Sequence, residues 1–93
     1  MENLTEKDLQ FKQKANAIAA ELSELIKEQD NAGIMSGAIL VMVSDLENDD
    51  TKSSMVLTHV GRGGKIVDCI HELINNNDTK MFHMLAIEKS LKF

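Results

Sequence analysis

The sequence predicts an α+β fold in which a long N-terminal helix precedes one antiparallel β-hairpin and two C-terminal helices, in the order α-β-β-α-α. Three observations predict it. Apolar residues recur at helical spacing over the first third of the chain. Two apolar runs in the middle have strand character, and helical periodicity returns after a glycine-rich segment. Since no other stretch has a strand pattern, the sheet is limited to this hairpin. We interpret residues 1–93 as one α+β domain.

The first helix is predicted from Thr5 to Gln29. Thr5 is suited to the N-cap position and Asp8 completes a weak capping box, while Gly33 suits a left-handed C-cap. A heptad-like seam runs along it, formed by Leu4, Phe11, Ile18 and Leu25, with Ala15, Leu22 and Ile26 on the same side. The seam could mark a coiled coil, but we favour packing on the core of the domain itself. A helix of this length reaches nearly ~40 Å, so part of it must pack on the C-terminal helices or on another molecule.

The hairpin is predicted from the runs Gly37–Ser44 and Ser54–Val60. The first run is apolar without alternation, which predicts a strand buried on both faces or lying in a dimer interface. The second carries Thr58 and His59 on opposite faces and should lie nearer to solvent. The acidic segment Asp45–Lys52 has no Asn-Gly or Asp-Gly turn signal, so we expect a long, mobile turn.

The C-terminal part predicts two helices, Lys65–Ile74 and Lys80–Leu91, separated by Asn75–Asp78. The first of them is clearly amphipathic, with an apolar stripe of Ile66, Val67, Ile70, Leu73 and Ile74. Apolar residues surround much of the last helix, which therefore needs more than one covering surface. This pattern indicates self-association.

A homodimer is the predicted assembly, because a lone two-stranded hairpin is marginal in water. Two hairpins pairing edge to edge would give a four-stranded sheet. Alternatively, the dimer would bury the last helix and the seam of the first helix. The interface candidates are Phe11, Ile18, Leu22, Leu25, Met81, Phe82 and Leu85.

Composition and charge narrow the function classes. The formal net charge of −5 makes nucleic-acid binding unlikely, because that function needs clustered cations. Cys69 is the single cysteine, so the chain has no internal disulfide. The N-terminus has no signal-peptide pattern, and the longest apolar run is too short to span a bilayer. We therefore expect a cytoplasmic protein with no membrane contact.

A glycine-rich junction follows the second predicted strand and is the candidate anion-binding site, formed by Gly61, Arg62, Gly63, Gly64 and Lys65. Glycines allow close approach of the backbone, a helix N-terminus offers free N–H groups, and the two cations add charge. The junction fits neither the phosphate-loop nor the dinucleotide fingerprint, since Ile66 stands where each needs another residue. We favour a tight turn whose glycines supply positive φ.

The other polar groups do not form a convincing catalytic or metal site. The acidic turn lacks the glycine and the terminal glutamate of a calcium loop. His59, His71 and His83 lie on different predicted elements, and Cys69 is more typical of a core position than of a nucleophile. No paired carboxylates with burial-raised pKa values are recognisable. No metal and no cofactor are predicted.

The function that these observations favour is a small acidic cytosolic protein-binding or regulatory module without catalysis of its own. The alternative is a small-ligand or anion-binding module at Gly61–Lys65, with phosphate or nucleotide as its ligand. A third hypothesis is a minimal enzyme assembled across a dimer interface from His59, His71 or Cys69.

Overall fold

The predicted architecture is confirmed by a computed structural model, which describes residues 4–92. The elements are α1 (Glu6–Asn31), β1 (Gly37–Leu46), β2 (Asp49–Gly61), α2 (Gly63–Asn75) and α3 (Lys80–Ser90). The two strands pair antiparallel and form one two-stranded sheet. Within the described range, no helix combines the length and the apolarity needed to cross a bilayer.

Helix α1 begins where the local chemistry predicts, and it ends at Asn31, two residues beyond the predicted Gln29. The Thr5 hydroxyl accepts a hydrogen bond from the Asp8 N–H at 3.2 Å, and the Asp8 carboxylate accepts one from the Thr5 N–H at 2.9 Å. This reciprocal pair is a complete capping box. Gly33 follows the helix at a φ of 77°, and its N–H and that of Ile34 bond back to the last turn of α1. Glycine adopts this left-handed conformation without steric cost.

The prediction of a long turn at Asp45–Lys52 is wrong. β1 continues to Leu46, β2 begins at Asp49, and only Glu47 and Asn48 connect them. The pairing shifts from Asp45 with Ser53 to Leu46 with Asp49, which leaves residues 50–52 as a bulge in β2. The Asp49 carboxylate accepts a hydrogen bond from the Thr51 N–H at 3.0 Å, and this local bond shapes the bulge without an Asn-Gly turn.

The packing of α1 gives the hairpin an inner and an outer face. α1 lies on the inner face, to which the even-numbered strand residues point; α2 lies mainly along β1, and α3 contacts only α2 among the described elements. The inner face comprises Ala38, Leu40, Met42, Ser44, Leu46, Ser54, Val56, Thr58 and Val60. The buried apolar residues in the described range are Ala15, Ile26 and Leu46, so the core of a single chain is very small.

The first strand is not buried on both faces within one chain, contrary to the first of its two predicted environments. Val41 and Val43 point to the outer face and are exposed. The heptad seam of α1 also divides. Ala15 and Ile26 are buried against the sheet, whereas Ile18 is 48% and Leu25 54% exposed. The reason is that a straight helix buries a stripe of 3.6-residue period, from which a strict seven-residue repeat drifts away.

Asp8 joins the start of α1 to the tip of the hairpin. Its second carboxylate oxygen accepts the N–H of Glu47, which lies 39 residues later, at 2.9 Å. The hydrogen bond from the Thr5 N–H is the largest cause that lowers the pKa of the Asp8 carboxyl below 3.8, and the bond from the Glu47 N–H is the next. The side chain is almost fully covered. It therefore ties the start of α1 to the hairpin tip, in addition to the packing of α1 on the sheet.

We expect Asp8→Asn to lower the urea midpoint at pH 7, because an amide has one acceptor oxygen where the carboxylate uses two. A lowered folded-state pKa gives stability that is present above the unfolded-state pKa and is lost as pH falls through the folded-state value. The wild-type chain should therefore lose stability below about pH 4 more steeply than the variant. Urea unfolding at pH 7 and at pH 3 measures both effects.

Asp68→Asn is the matched control, because Asp68 is an exposed carboxylate beside Lys65 at 3.4 Å. An exposed pair of this kind contributes little, so the midpoint should hardly change. Equal effects of the two substitutions would contradict the structural role of Asp8.

Candidate protein-interaction surface

The outer face of the hairpin is an uncovered apolar surface. Its cross-strand pairs are Ile39 with His59, Val41 with Leu57 and Val43 with Met55. Val43 is 61% and Leu57 59% exposed. These residues follow from strand alternation, which places every second side chain on one face. The face carries no carboxylate and no lysine or arginine between His59 and Met55.

The two ends of this outer face differ. At one end the Asp45–Ser53 pair leads into the acidic hairpin tip, defined as residues 45–52. At the other end, a Cβ added to Gly37 would lie 2.9 Å from the Ile66 backbone nitrogen and 2.9 Å from the Lys65 Cβ. The first turn of α2 therefore closes this end, and only glycine fits at position 37 without a shift of the backbone.

Helix α2 has the predicted amphipathic stripe but lacks a surface on which to bury it. Ile66 and Cys69 are half-buried, whereas Val67, Ile70, Leu73 and Ile74 are exposed. No residue of α2 reaches full burial. A helix with this pattern normally packs its apolar face on a core. Within the described part of the chain, β1 and α3 contact this helix but leave most of its apolar face exposed.

Helix α3 is still less covered. It contacts α2 alone among the described elements, and none of its residues is buried. Phe82 is 70% exposed, and the other two interface candidates on this helix, Met81 and Leu85, are exposed as well. The candidates on α1 are placed differently, because Phe11 and Leu22 are half-buried beside the sheet. The role of all seven candidates in an interface stays a prediction.

Four residues of this surface were not predicted from the sequence as interface candidates: Val41, Val43, Met55 and Leu57. The sequence did contain a signal, because both strands have apolar residues at consecutive positions. Such residues point to both faces of the hairpin. One face of a two-stranded hairpin can be covered by a single helix, so the second face must be covered by something else.

The five residues predicted for the anion-binding site lie together at the glycine-rich junction. Most of them have structural roles. Gly61 has a φ of 110°, and a Cβ at this position would overlap the Ser36 carbonyl oxygen. The Arg62 N–H bonds the same oxygen at 3.0 Å. The Arg62 guanidinium lies 2.6 Å from the Asp30 carboxylate, and the Lys65 ammonium lies near Asp68. Each cation of the junction therefore already has a carboxylate beside it.

Gly63 and Gly64 differ from Gly61, because neither has positive φ and neither has another atom within 4 Å of an added Cβ. Steric reasons do not explain these two glycines. They form the first turn of α2, where backbone N–H groups point away from the helix. The open space above them leaves room for a ligand or for another chain.

The histidines and the cysteine are distributed over three elements. His59 lies on the outer face of the hairpin, His71 on α2 and His83 on α3. The Cys69 thiol is half-buried and donates to the Gly37 carbonyl oxygen at 3.4 Å, so it helps to hold α2 on β1. Among residues 4–92, no three His, Cys, Asp or Glu side chains are grouped in a way that could hold a metal ion.

Comparison with known proteins adds no relative whose site could be transferred to these residues. The chain matches no protein-family model, no curated protein and no solved structure, so its surfaces must be interpreted from their own geometry.

Proposed function

We propose that this chain is a small acidic cytoplasmic protein-binding module without catalysis of its own, and that its apolar surface is covered by another protein chain. The observation that carries the proposal is the accessible area of 7488 Å². A folded monomer of 10.3 kDa exposes only about 5,400 Å². The excess of roughly 2,000 Å² is of the size that obligate protein–protein interfaces bury.

The shape of the chain supports the same proposal. The radius of gyration is 16.0 Å, against about 12 Å for a compact domain of this length. Much of the excess surface is apolar. Most of the exposed large hydrophobic side chains lie on the outer face of the hairpin and on α2 and α3, and the others include residues of α1 such as Ile18 and Leu25. Burial of apolar surface is favourable by about 25 cal/mol per Å². Binding of another protein to this surface would therefore be favourable.

Site-specific photo-crosslinking in the cells from which the chain comes tests the proposal. A photoreactive amino acid replaces Leu57 on the outer face in one variant. In the control variant it replaces Glu21, an exposed residue of α1. We expect a protein adduct from position 57 and none from position 21. The absence of any protein adduct from position 57 would overturn the proposal.

A second candidate function is anion binding at the start of α2, which the unexplained glycines Gly63 and Gly64 favour. Inorganic phosphate is the probe, and the backbone amide signals of these glycines report its binding in solution NMR. Saturable shifts that vanish in the double variant Arg62→Ala/Lys65→Ala would support the function. Shifts that rise linearly with phosphate in both proteins would exclude it.

A further inference from the structure

Two surfaces of this chain are apolar and largely uncovered, and either one could cover the other. Beyond its Gly37 end, which the first turn of α2 closes, the outer face of the hairpin is a sheet face with exposed apolar side chains, and α3 is a helix that contacts only α2 among the described elements. A helix packed on a sheet face is one of the stable layer arrangements in proteins. The chain does not bring the two together itself, because α3 makes no contact with either strand.

We propose that the occupant of the outer face is α3 of a second copy of this chain, and that the exchange is reciprocal. This inference rests on the proposed function and specifies its partner. In a two-fold dimer each α3 would lie on the outer face of the other chain, so the same contact forms twice. Two such contacts account for an excess area of roughly 2,000 Å² per chain better than one contact does.

Charge favours α3 over a second hairpin that packs with its tip at the same end of the outer face. The acidic hairpin tip, residues 45–52, has four carboxylates and one lysine, for a formal net charge of −3. The end of α3 that would lie beside the tip has Lys89, Lys92 and Glu88, for a formal net charge of +1, and Lys92 lies 3.0 Å from the Glu88 carboxylate. A helix on the outer face would thus meet a rim of opposite charge. Two hairpins packed with their tips together would place like charges side by side.

The orientation of the exchanged helix follows from the ends of the outer face. The first turn of α2 closes the Gly37 end, whereas the tip end is open and acidic. The Lys89–Lys92 end of α3 belongs beside the acidic tip. Phe82, near the start of the helix, and Leu85, in its middle, would then lie over Val41 and Leu57. Since these side chains are exposed in the single chain, the dimer needs no rearrangement of the fold to cover them.

Sedimentation equilibrium of the full chain gives the first test. We expect twice the chain mass of 10.3 kDa over the micromolar range. Leu57→Asp and Phe82→Asp should each weaken the dimer by about 30-fold or more, as expected for central interface residues. Ala20→Asp places the same charge on an exposed position of α1 and should leave the dimer intact. A wild-type monomer at every concentration would overturn the inference.

The second test needs no destabilising variant. Chains with a photoreactive amino acid at position 82 are mixed with isotope-labelled chains, and the crosslinked peptides are identified by mass spectrometry. Mixed-isotope crosslinks from position 82 to β1 or β2 support the reciprocal exchange. Crosslinks to α3 or α1 of the labelled copy would overturn it.

The outcomes separate this inference from the proposed function. A monomer in solution whose position 57 crosslinks in cells to a protein of another mass would overturn the second-copy partner and leave the binding function standing. No adduct in cells, together with a monomer in solution, would overturn both.

Discussion

Replacing Gly61 with alanine is expected to cost about 1–3 kcal/mol of unfolding free energy from backbone strain alone. Gly61 has a φ of 110°, which residues with a side chain rarely adopt. The overlap between the new Cβ and the Ser36 carbonyl oxygen adds to this cost, because both are fixed by the backbone. The same oxygen accepts the Arg62 N–H, so relief of the overlap would break that bond. Urea unfolding at fixed protein concentration measures the loss.

Gly64→Ala is the matched control, since position 64 has negative φ and open space around the added Cβ. Alanine is the better helix former by up to about 1 kcal/mol, so this variant should be as stable as the wild type or more stable. Equal destabilisation by both substitutions would mean that the junction has a different backbone from the one described. The positive φ would then no longer explain why position 61 is glycine.

The order of the elements could be predicted because each depends on local chemistry. The hydrophobic period changes from helical to strand-like and back, and the helix signals Thr5, Asp8 and Gly33 act within a few residues of themselves. Such patterns do not depend on how the elements later pack. The structure therefore confirms the predicted order of the elements.

The hairpin tip could not be predicted in this way. Its geometry depends on the bond from the Glu47 N–H to Asp8, which joins residues 39 positions apart. It also depends on a bulge that absorbs residues 50–52. Neither feature has a local signal comparable to Asn-Gly, so the acidic composition alone suggested a loop.

The candidate surface could be predicted only in part, because an apolar residue looks the same in the sequence whether a chain buries it or leaves it exposed. The exposure of α3 could be predicted, because apolar residues surround much of this helix and one covering surface cannot bury them all. Exposure of Val43 and Leu57 depends on how many elements cover the hairpin. The sequence has no signal for that number. In the described chain, α1 lies on the inner face and the first turn of α2 reaches the outer face at its Gly37 end.

Ile26→Ala is the second substitution with a large expected effect, about 2–3 kcal/mol of unfolding free energy. Ile26 is one of the buried apolar residues described and packs between α1 and the inner face of the sheet. The substitution removes buried apolar surface from a core that contains few other residues. The effect should fall in the lower half of the usual range for this change, because an open crevice lined by Val60 and Arg62 lies beside it. Water and neighbouring side chains can therefore fill part of the space.

Ile18→Ala is the control on the same helix, because it removes the same atoms from a side chain that is 48% exposed. In a free chain it should cost less than about 1 kcal/mol, and the cost should not depend on protein concentration. If the heptad seam of α1 lies in a dimer interface, the cost of Ile18→Ala should rise with concentration, because only the dimer buries this side chain. Equal, concentration-independent costs for both isoleucines would contradict the packing of α1 through Ile26. The inner face would then need another cover, and the outer face could no longer be assigned as the free one.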